Sequence, residues 1–390
     1  MPIISSLPMF LTNRDLVDLI ELRHDLHRHP EISGEEQQTA GRVASYLRLL
    51  KPDALVTGLG GHGVAAVFEG AEPGPTVLFR AELDALPIEE LTGLDYASEV
   101  PGKGHLCGHD GHMAILTALA TGLARQRPAR GRAVLLYQPA EETGAGAAAV
   151  IEDPQFAEIA PDMAFSLHNQ PGMAIGTASL MAGPVNCASR GMRIVLSGKT
   201  AHASLPHTGI SPMPALAEIM PVLAALAHGR HSEADFALVT VTHAEMGERA
   251  FGIAPGAAEI WATLRTLTDD RMDGLVQKAE AVATASSLRH GLTVAIEYDD
   301  IFMHCENAEE AVSHLAAALT AEGVAFDRGD LPMRASEDFG RFGKACPAAM
   351  FFLGSGTDNA DLHNPDYAFP DDLIEIGGRV FMRVARNLLG

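Results

Sequence analysis

Basic residues are scarce in this chain: 28 Lys and Arg stand against 50 Asp and Glu, for a formal net charge of -22 at pH 7. Such a field repels a polyanion and gains nothing from an anionic membrane surface, which excludes nucleic-acid and membrane roles first. Cysteine is rare too, and Cys107, Cys187, Cys305 and Cys346 are scattered without framework spacing. That pattern excludes a disulfide scaffold and fits a reducing compartment. No apolar run continues, free of Gly, Pro and charge, for the roughly 20 residues a spanning helix needs. Met1–Pro8 lacks a basic start and proline breaks its apolar run, so it does not read as a secretory signal. A cytoplasmic location is expected. Repeats and low-complexity segments are missing as well, apart from a local alanine bias.

What is present is a globular composition, 47% apolar and 20% charged over 390 residues, long enough for two domains. One stretch dominates: Gly104-His105-Leu106-Cys107-Gly108-His109-Asp110-Gly111-His112 packs a thiol, a carboxylate and several imidazoles together. Glu141-Glu142 follows later, and His168 and His363 stand apart. Mixed S, N and O donors suit Zn²⁺ or another first-row divalent ion. The plainer alternative is a histidine-rich surface loop around a buried cysteine.

Along the chain, Asn13 is placed to cap a helix that ends near His29-Pro30, where His24, His27 and His29 read as packing residues rather than ligands. A second helix runs from 33–36 to about Leu50. Residues 64–68 and 76–80 read as strands joined as a hairpin or meander across a Gly/Pro-rich turn. The second of these leads into Glu82 and Asp84, and acids just past a strand end sit where α/β folds build sites. Asp84 is a candidate for orienting a metal-bound imidazole, or else a solvated turn acid. Residues 111–125 read as a buried-face helix, 132–137 as a strand running out to Glu141-Glu142, and 163–167 as a strand running out to His168. From about Pro184 the order becomes β-α-β-β-α-β, the ferredoxin-like plan. An inserted domain is therefore expected at 184–298, inside a discontinuous one formed by 1–183 and 299–390.

Several motifs, quoted as they stand, resemble the aminoacylase, hippurate hydrolase and indole-3-acetyl-amino-acid amidohydrolase family: Leu26-His27-Arg28-His29-Pro30-Glu31, Arg80-Ala81-Glu82-Leu83-Asp84, Cys107-Gly108-His109-Asp110-Gly111-His112, Pro139-Ala140-Glu141-Glu142, His168-Asn169, Ser336-Glu337-Asp338-Phe339 and Leu362-His363-Asn364-Pro365. The resemblance covers almost the whole chain. It implies an α/β fold: a phosphorylase/hydrolase-like catalytic domain with a mixed central sheet flanked by helices, plus an inserted ferredoxin-like α+β lid that mediates dimerisation. It also implies two divalent metal ions per subunit (Zn, Mn, Co or Ni) on Cys107, His109, Glu142, His168 and His363. Glu141 would be the general base and acid. His202 would reach a substrate site, commonly the partner subunit's, and Arg265 would hold a substrate carboxylate. Asp84 and Asp110 would stand behind the ligands and orient them.

The expected chemistry is hydrolysis of the amide bond in an N-acyl amino acid or a similar small conjugate. A metal lowers the pKa of water towards about 7, so a neighbouring carboxylate can take its proton at neutral pH. Departures fall in the inserted part: Gly252 stands where the family has asparagine, and Ser211 where aspartate is common before Pro212. A further departure lies outside it, where Glu82 replaces a common aspartate. The competing readings are a dipeptidase or aminopeptidase on the same scaffold, a hydrolytic deaminase, and a non-catalytic binding protein.

Overall fold

The computed structural model describes residues 10–390, so the reading of Met1–Pro8 lies outside it. The chain divides into two compact units. The first comprises the chain up to Gly183 with Glu306–Leu331 and Asp338–Gly390, and the second comprises Pro184–Cys305 with Pro332–Glu337. No helix among the described residues is long and apolar enough to cross a membrane.

The first unit is built on an eight-stranded mixed sheet. Its strands are β1 (Ala54–Leu59), β2 (Gly63–Glu69), β3 (Glu72–Glu82), β4 (Arg130–Gln138), β5 (Met163–Gln170), β6 (Ala178–Ser179), β7 (Phe326–Asp327) and β8 (Ala348–Gly354). They lie in the order β1-β2-β4-β3-β5-β8-β6-β7. β3 runs parallel to β4 and β5, and β8 parallel to β5, so their C-terminal ends open onto one edge of the sheet. The hairpin expected between 64–68 and 76–80 is not formed, because β4 lies between β2 and β3 and pairs with both. β3 is buried from Val77 onward, and a strand covered on both faces takes parallel neighbours on either side.

Helices cover the sheet: α1 (Asn13–Arg28), α2 (Gln37–Leu50), α3 (His109–Arg125), α4 (Gly146–Glu152), α5 (Glu309–Glu322) and α6 (Asp372–Leu389). The cap of α1 is Thr12 rather than the expected Asn13, because Thr12 and Asp15 close a reciprocal capping box around the helix start. α3 is buried from His109 to Leu123. It is an interior helix, fixed by apolar packing of Met113, Ile115, Leu116 and Leu119 in the main core. Each such side chain contributes about 1.5–3 kcal/mol, so the residues at its N-terminus rest on a firm support.

In the second unit a four-stranded antiparallel sheet takes the order Ala237–Met246, Ala257–Thr266, Ala188–Ser197, Thr293–Phe302. With the helices Met213–Ala224 and Asp269–Arg289 it follows the chain order β-α-β-β-α-β around its own core. The unit extends past the expected end at 298. Its last strand continues to Phe302, and Arg265 Nη1 donates to Arg334 O (3.1 Å) and Ser336 Oγ (2.8 Å), which ties in residues 332–337.

Candidate metal centre

The site lies where parallel strands end. Asp84 follows β3, Glu141 and Glu142 follow β4, and His168 lies near the end of β5. Cys107 and His109 flank Gly108, the N-cap of α3, whose φ of +87° is left-handed. A Cβ on Gly108 would lie 2.5 Å from Asn169 Nδ2, so only glycine lets the turn approach β5. His363 comes from a late loop, also left-handed at φ +67°, and its N–H donates to Leu106 O (2.8 Å) beside Cys107.

These segments bring Cys107, His109, Glu142, His168 and His363 together. The donor atoms of Cys107, His109 and His168 lie within 4.8 Å of one another, as do those of Cys107, Glu142 and His363. The two groups share the Cys107 sulfur, whose Sγ is 3.5 Å from His168 Nε2. His363 Nε2 is 3.6 Å from Glu142 Oε2, and His109 Nε2 is 3.9 Å from Glu142 Oε1 and 4.0 Å from Glu141 Oε2.

The imidazoles are oriented for donation. His109 Nδ1–H donates to the Asp84 carbonyl (2.8 Å), with the Asp84 carboxylate 3.4 Å away, and His168 Nδ1–H donates to the Asn169 carbonyl (2.8 Å). A carbonyl can only accept, so each ring must carry its proton on Nδ1 and turn the Nε2 lone pair inward. His109 Nε2 is buried with no hydrogen-bond partner, the state expected of a nitrogen waiting for a cation. The electrostatics agree. Burial, then Glu142 and Glu141, push the Cys107 thiol well above its usual pKa. Burial holds His168 down at about 3, in its neutral form. Burial also opposes charge on His109, but the Asp84 hydrogen bond and the Glu82 and Glu142 carboxylates outweigh it and raise that ring to about 10. A buried pocket so rich in acid calls for positive charge, and a divalent cation would reverse both the cysteine and His109 shifts. The donor set therefore fits such an ion.

Neighbouring groups are already committed. His112 Nδ1 meets Glu82 (2.7 Å) while its Nε2 accepts the Asn169 N–H (3.1 Å), leaving no lone pair for a metal. Glu82 is paired in turn with Arg80, and Arg80 Nη2 reaches Asp338 (2.5 Å). Asp84 Oδ2 accepts from Glu142 N–H (2.9 Å) and Ser33 Oγ (2.7 Å), so this acid serves both the imidazole and the glutamate loop. Asp110, expected behind a liganding imidazole, instead accepts from Arg23 Nη1 (3.1 Å) and His27 Nδ1 (2.9 Å) of α1. Successive residues on a helix point about 100° apart, which turns Asp110 away from the donors that His109 joins.

Asn169 was legible only as the neighbour of His168. Its Nδ2 donates to Cys107 O (2.6 Å), and its Oδ1 accepts from the Tyr367 hydroxyl. Gln138 and Glu36, which also brace the glutamate loop, carried no signal in the sequence beyond an ordinary strand end and helix start.

His202 and Arg265 belong to the second unit. His202 is exposed on a short strand, Ala201–His202, paired with Ile253–Ala254. Its Nδ1 accepts the Ser204 N–H (3.1 Å), which leaves Nε2 to carry the proton. Arg265 is half-buried, and burial lowers its pKa. No carboxylate among the described residues pairs with it.

Residues 78–387 match the sequence pattern of Peptidase family M20/M25/M40. The chain belongs to that family. It is accordingly a metal-dependent amidohydrolase acting on linear amide bonds. It is 34% identical over 378 residues to N-acetyl-L-cysteine deacetylase of Bacillus subtilis (strain 168), covering 95% of this chain and 88% of that one. It is 31% identical over 347 residues to N-acetyldiaminopimelate deacetylase of Halalkalibacterium halodurans, covering 89% and 92%. Among solved structures, the Bacillus subtilis YXEP protein, described as a dinuclear metal binding peptidase from the M20 family, superposes with a TM-score of 0.81 at 26% identity, covering 97% of this chain and 99% of that one.

Proposed function

We propose that this amidohydrolase cleaves the acyl–nitrogen bond of N-acyl amino acids, with Cys107, His109, Glu142, His168 and His363 holding two divalent ions. The observation that carries the reading is the pair of donor groups joined at Cys107. The deacetylase relatives favour a small acyl group on an amino-acid nitrogen. Ions bound there would acidify water and polarise the acyl oxygen.

The chain's own groups do the rest. Glu141, buried beside His109, accepts the proton of the attacking water and returns it to the departing amine. Asp84 keeps the His109 lone pair pointed inward and holds Glu142 N–H, so imidazole and glutamate move together. His202 offers its Nε2–H to the oxyanion, and Arg265 receives the substrate carboxylate, a bidentate match for a guanidinium with no acid of its own. The second unit serves as a lid and as the contact of a homodimer.

The test joins metal analysis of the purified protein to a panel of N-acetyl-, benzoyl- and indoleacetyl-amino acids set against dipeptides. Glu141→Gln is expected to bind metal as wild type does and to lose turnover; a wild-type rate would remove its role. His202→Ala is expected to lower kcat by about 100-fold with metal content unchanged. A preference for a free α-amino group would replace this reading with a peptidase.

A further inference from the structure

The loop that carries Glu141 and Glu142 is gripped through its backbone amides by carboxylates from distant parts of the first unit. Ala140 N–H donates to Glu36 Oε1 (2.8 Å), Glu142 N–H to Asp84 Oδ2 (2.9 Å), and Ala147 N–H to Asp338 Oδ2 (2.8 Å). The Asp84 carboxylate also accepts from Ser33 Oγ and lies 3.4 Å from the His109 ring, and Asp338 is paired with Arg80 and Gln138. Glu36 is different. It is fully buried, its second partner is only the nearby Gly34 N–H (2.9 Å), and its Oε2 has no hydrogen-bond partner. Burying a carboxylate on so few contacts is costly, and its place at the start of α2 does not require it. Glu31 Oε2 already accepts from Gln38 N–H (2.8 Å), Thr39 N–H (2.7 Å) and Thr39 Oγ1 (2.9 Å), satisfying the amides of that helix end.

The residue Glu36 holds is itself unusual. Ala140 has φ +49°, a left-handed form that L side chains adopt only at a cost. Beyond it the loop closes on itself. Gly144 N–H donates to Glu141 O (2.7 Å) and Gly146 N–H to Ala140 O (3.0 Å). A Cβ on Gly146 would lie 1.6 Å from Pro139 O, so the ring of backbone is drawn tight. Glu142 N–H stays anchored on Asp84 Oδ2 (2.9 Å), so relaxing the turn at Ala140 would swing the segment before that anchor, and Glu141 with it, while Glu142 keeps its place.

We propose that Glu36 is the positioning residue for Glu141: its carboxylate pins the strained Ala140 turn and so sets the direction in which the proton-carrying side chain leaves the backbone. This rests on the role given to Glu141 above. A displacement of about 1 Å in a reacting group lowers turnover by up to about 100-fold, so the pin acts on kcat rather than on metal or substrate binding.

The test compares E36A, E36D and E36Q on an N-acetyl amino acid that the wild type hydrolyses, measuring kcat and KM, bound metal per chain, and amide exchange across residues 139–147 by mass spectrometry. E36A is expected to lower kcat by about 10- to 100-fold with KM and bound metal within about twofold, and to speed exchange in that segment about tenfold. E36Q keeps an acceptor oxygen and is expected to stay within about threefold of wild type in both kcat and exchange. Should E36A fail to fold, E36D withdraws the oxygen by one methylene and is expected to show the same loss of kcat. Wild-type kcat in E36A or E36D overturns the proposal, as does E36Q failing as badly as E36A. The exchange measurement separates the two readings: an active Glu141→Gln protein would overturn the role of Glu141, whereas unchanged exchange in E36A would overturn the pin itself.

Discussion

Gly108 carries no side chain, and the placement of Cys107 and His109 depends on that. Its left-handed φ and the 2.5 Å approach of Asn169 leave no room for a methyl group. Gly108→Ala is expected to lower unfolding free energy by about 2–4 kcal/mol in denaturant titrations and to reduce metal loading with it. A second residue-level outcome concerns pH. Burial opposes charge on His27, but Asp110 and Glu90 outweigh it and hold the ring at about 9, above its ordinary 6.5. A raised folded-state pKa adds stability that is complete below about pH 6.5 and is lost as pH climbs through about 9. The His27 contribution is therefore expected to fall by about 3 kcal/mol between pH 6.5 and 10, and His27→Gln is expected to reduce the slope of stability against pH in melts across the range. At this scale the residues that converge on Cys107 were legible because each stands in a short motif with distinctive chemistry. Asp110 was misplaced because nearness in sequence says nothing of which way a helix turns a side chain. Glu36 was invisible because it grips a backbone amide 104 residues away, and such a bond leaves no mark on the partner's identity.

Among the elements, α3 ties core to site. Leu116 is fully buried, and Leu116→Ala is expected to cost about 2–5 kcal/mol in stability. Its kcat at saturating metal is expected to match wild type at temperatures where the variant is folded, because the loss falls a full turn and more from His109. A kcat that fell in proportion would mean the helix start moves with its core. The strands themselves were readable from apolar runs and breakers, but their neighbours were not. β2 and β3 are consecutive, short-linked and both apolar, which is how a hairpin also looks. What separates them is β4, a strand that arrives only after α3 and whose place is set by sheet burial rather than by any local turn.

For the whole molecule, the net charge of -22 that argued against nucleic acid also bears on an anionic N-acyl amino acid. Long-range repulsion slows the encounter until salt screens it. kcat/KM for such a substrate is expected to rise about two- to fivefold from low to physiological ionic strength, while its carboxamide analogue stays flat. Equal responses would place the approach path outside that field. The β-α-β-β-α-β order of the second unit was legible because its helices and strands alternate clearly, whereas its true end was not. Residues 332–337 join it through bonds to the Arg265 side chain, after the chain has already left for α5.

The sulfur of Cys107 stands in both donor groups, and this has a practical result for anyone seeking a half-loaded enzyme. On the proposed assignment, occupancy of one position cannot be removed at Cys107 without disturbing the other, since both would lose the same anion. Single-ion forms should instead come from the ends of the chain of donors: replacing His168 or His363 is expected to leave one equivalent in native mass spectra, and Cys107→Ala none.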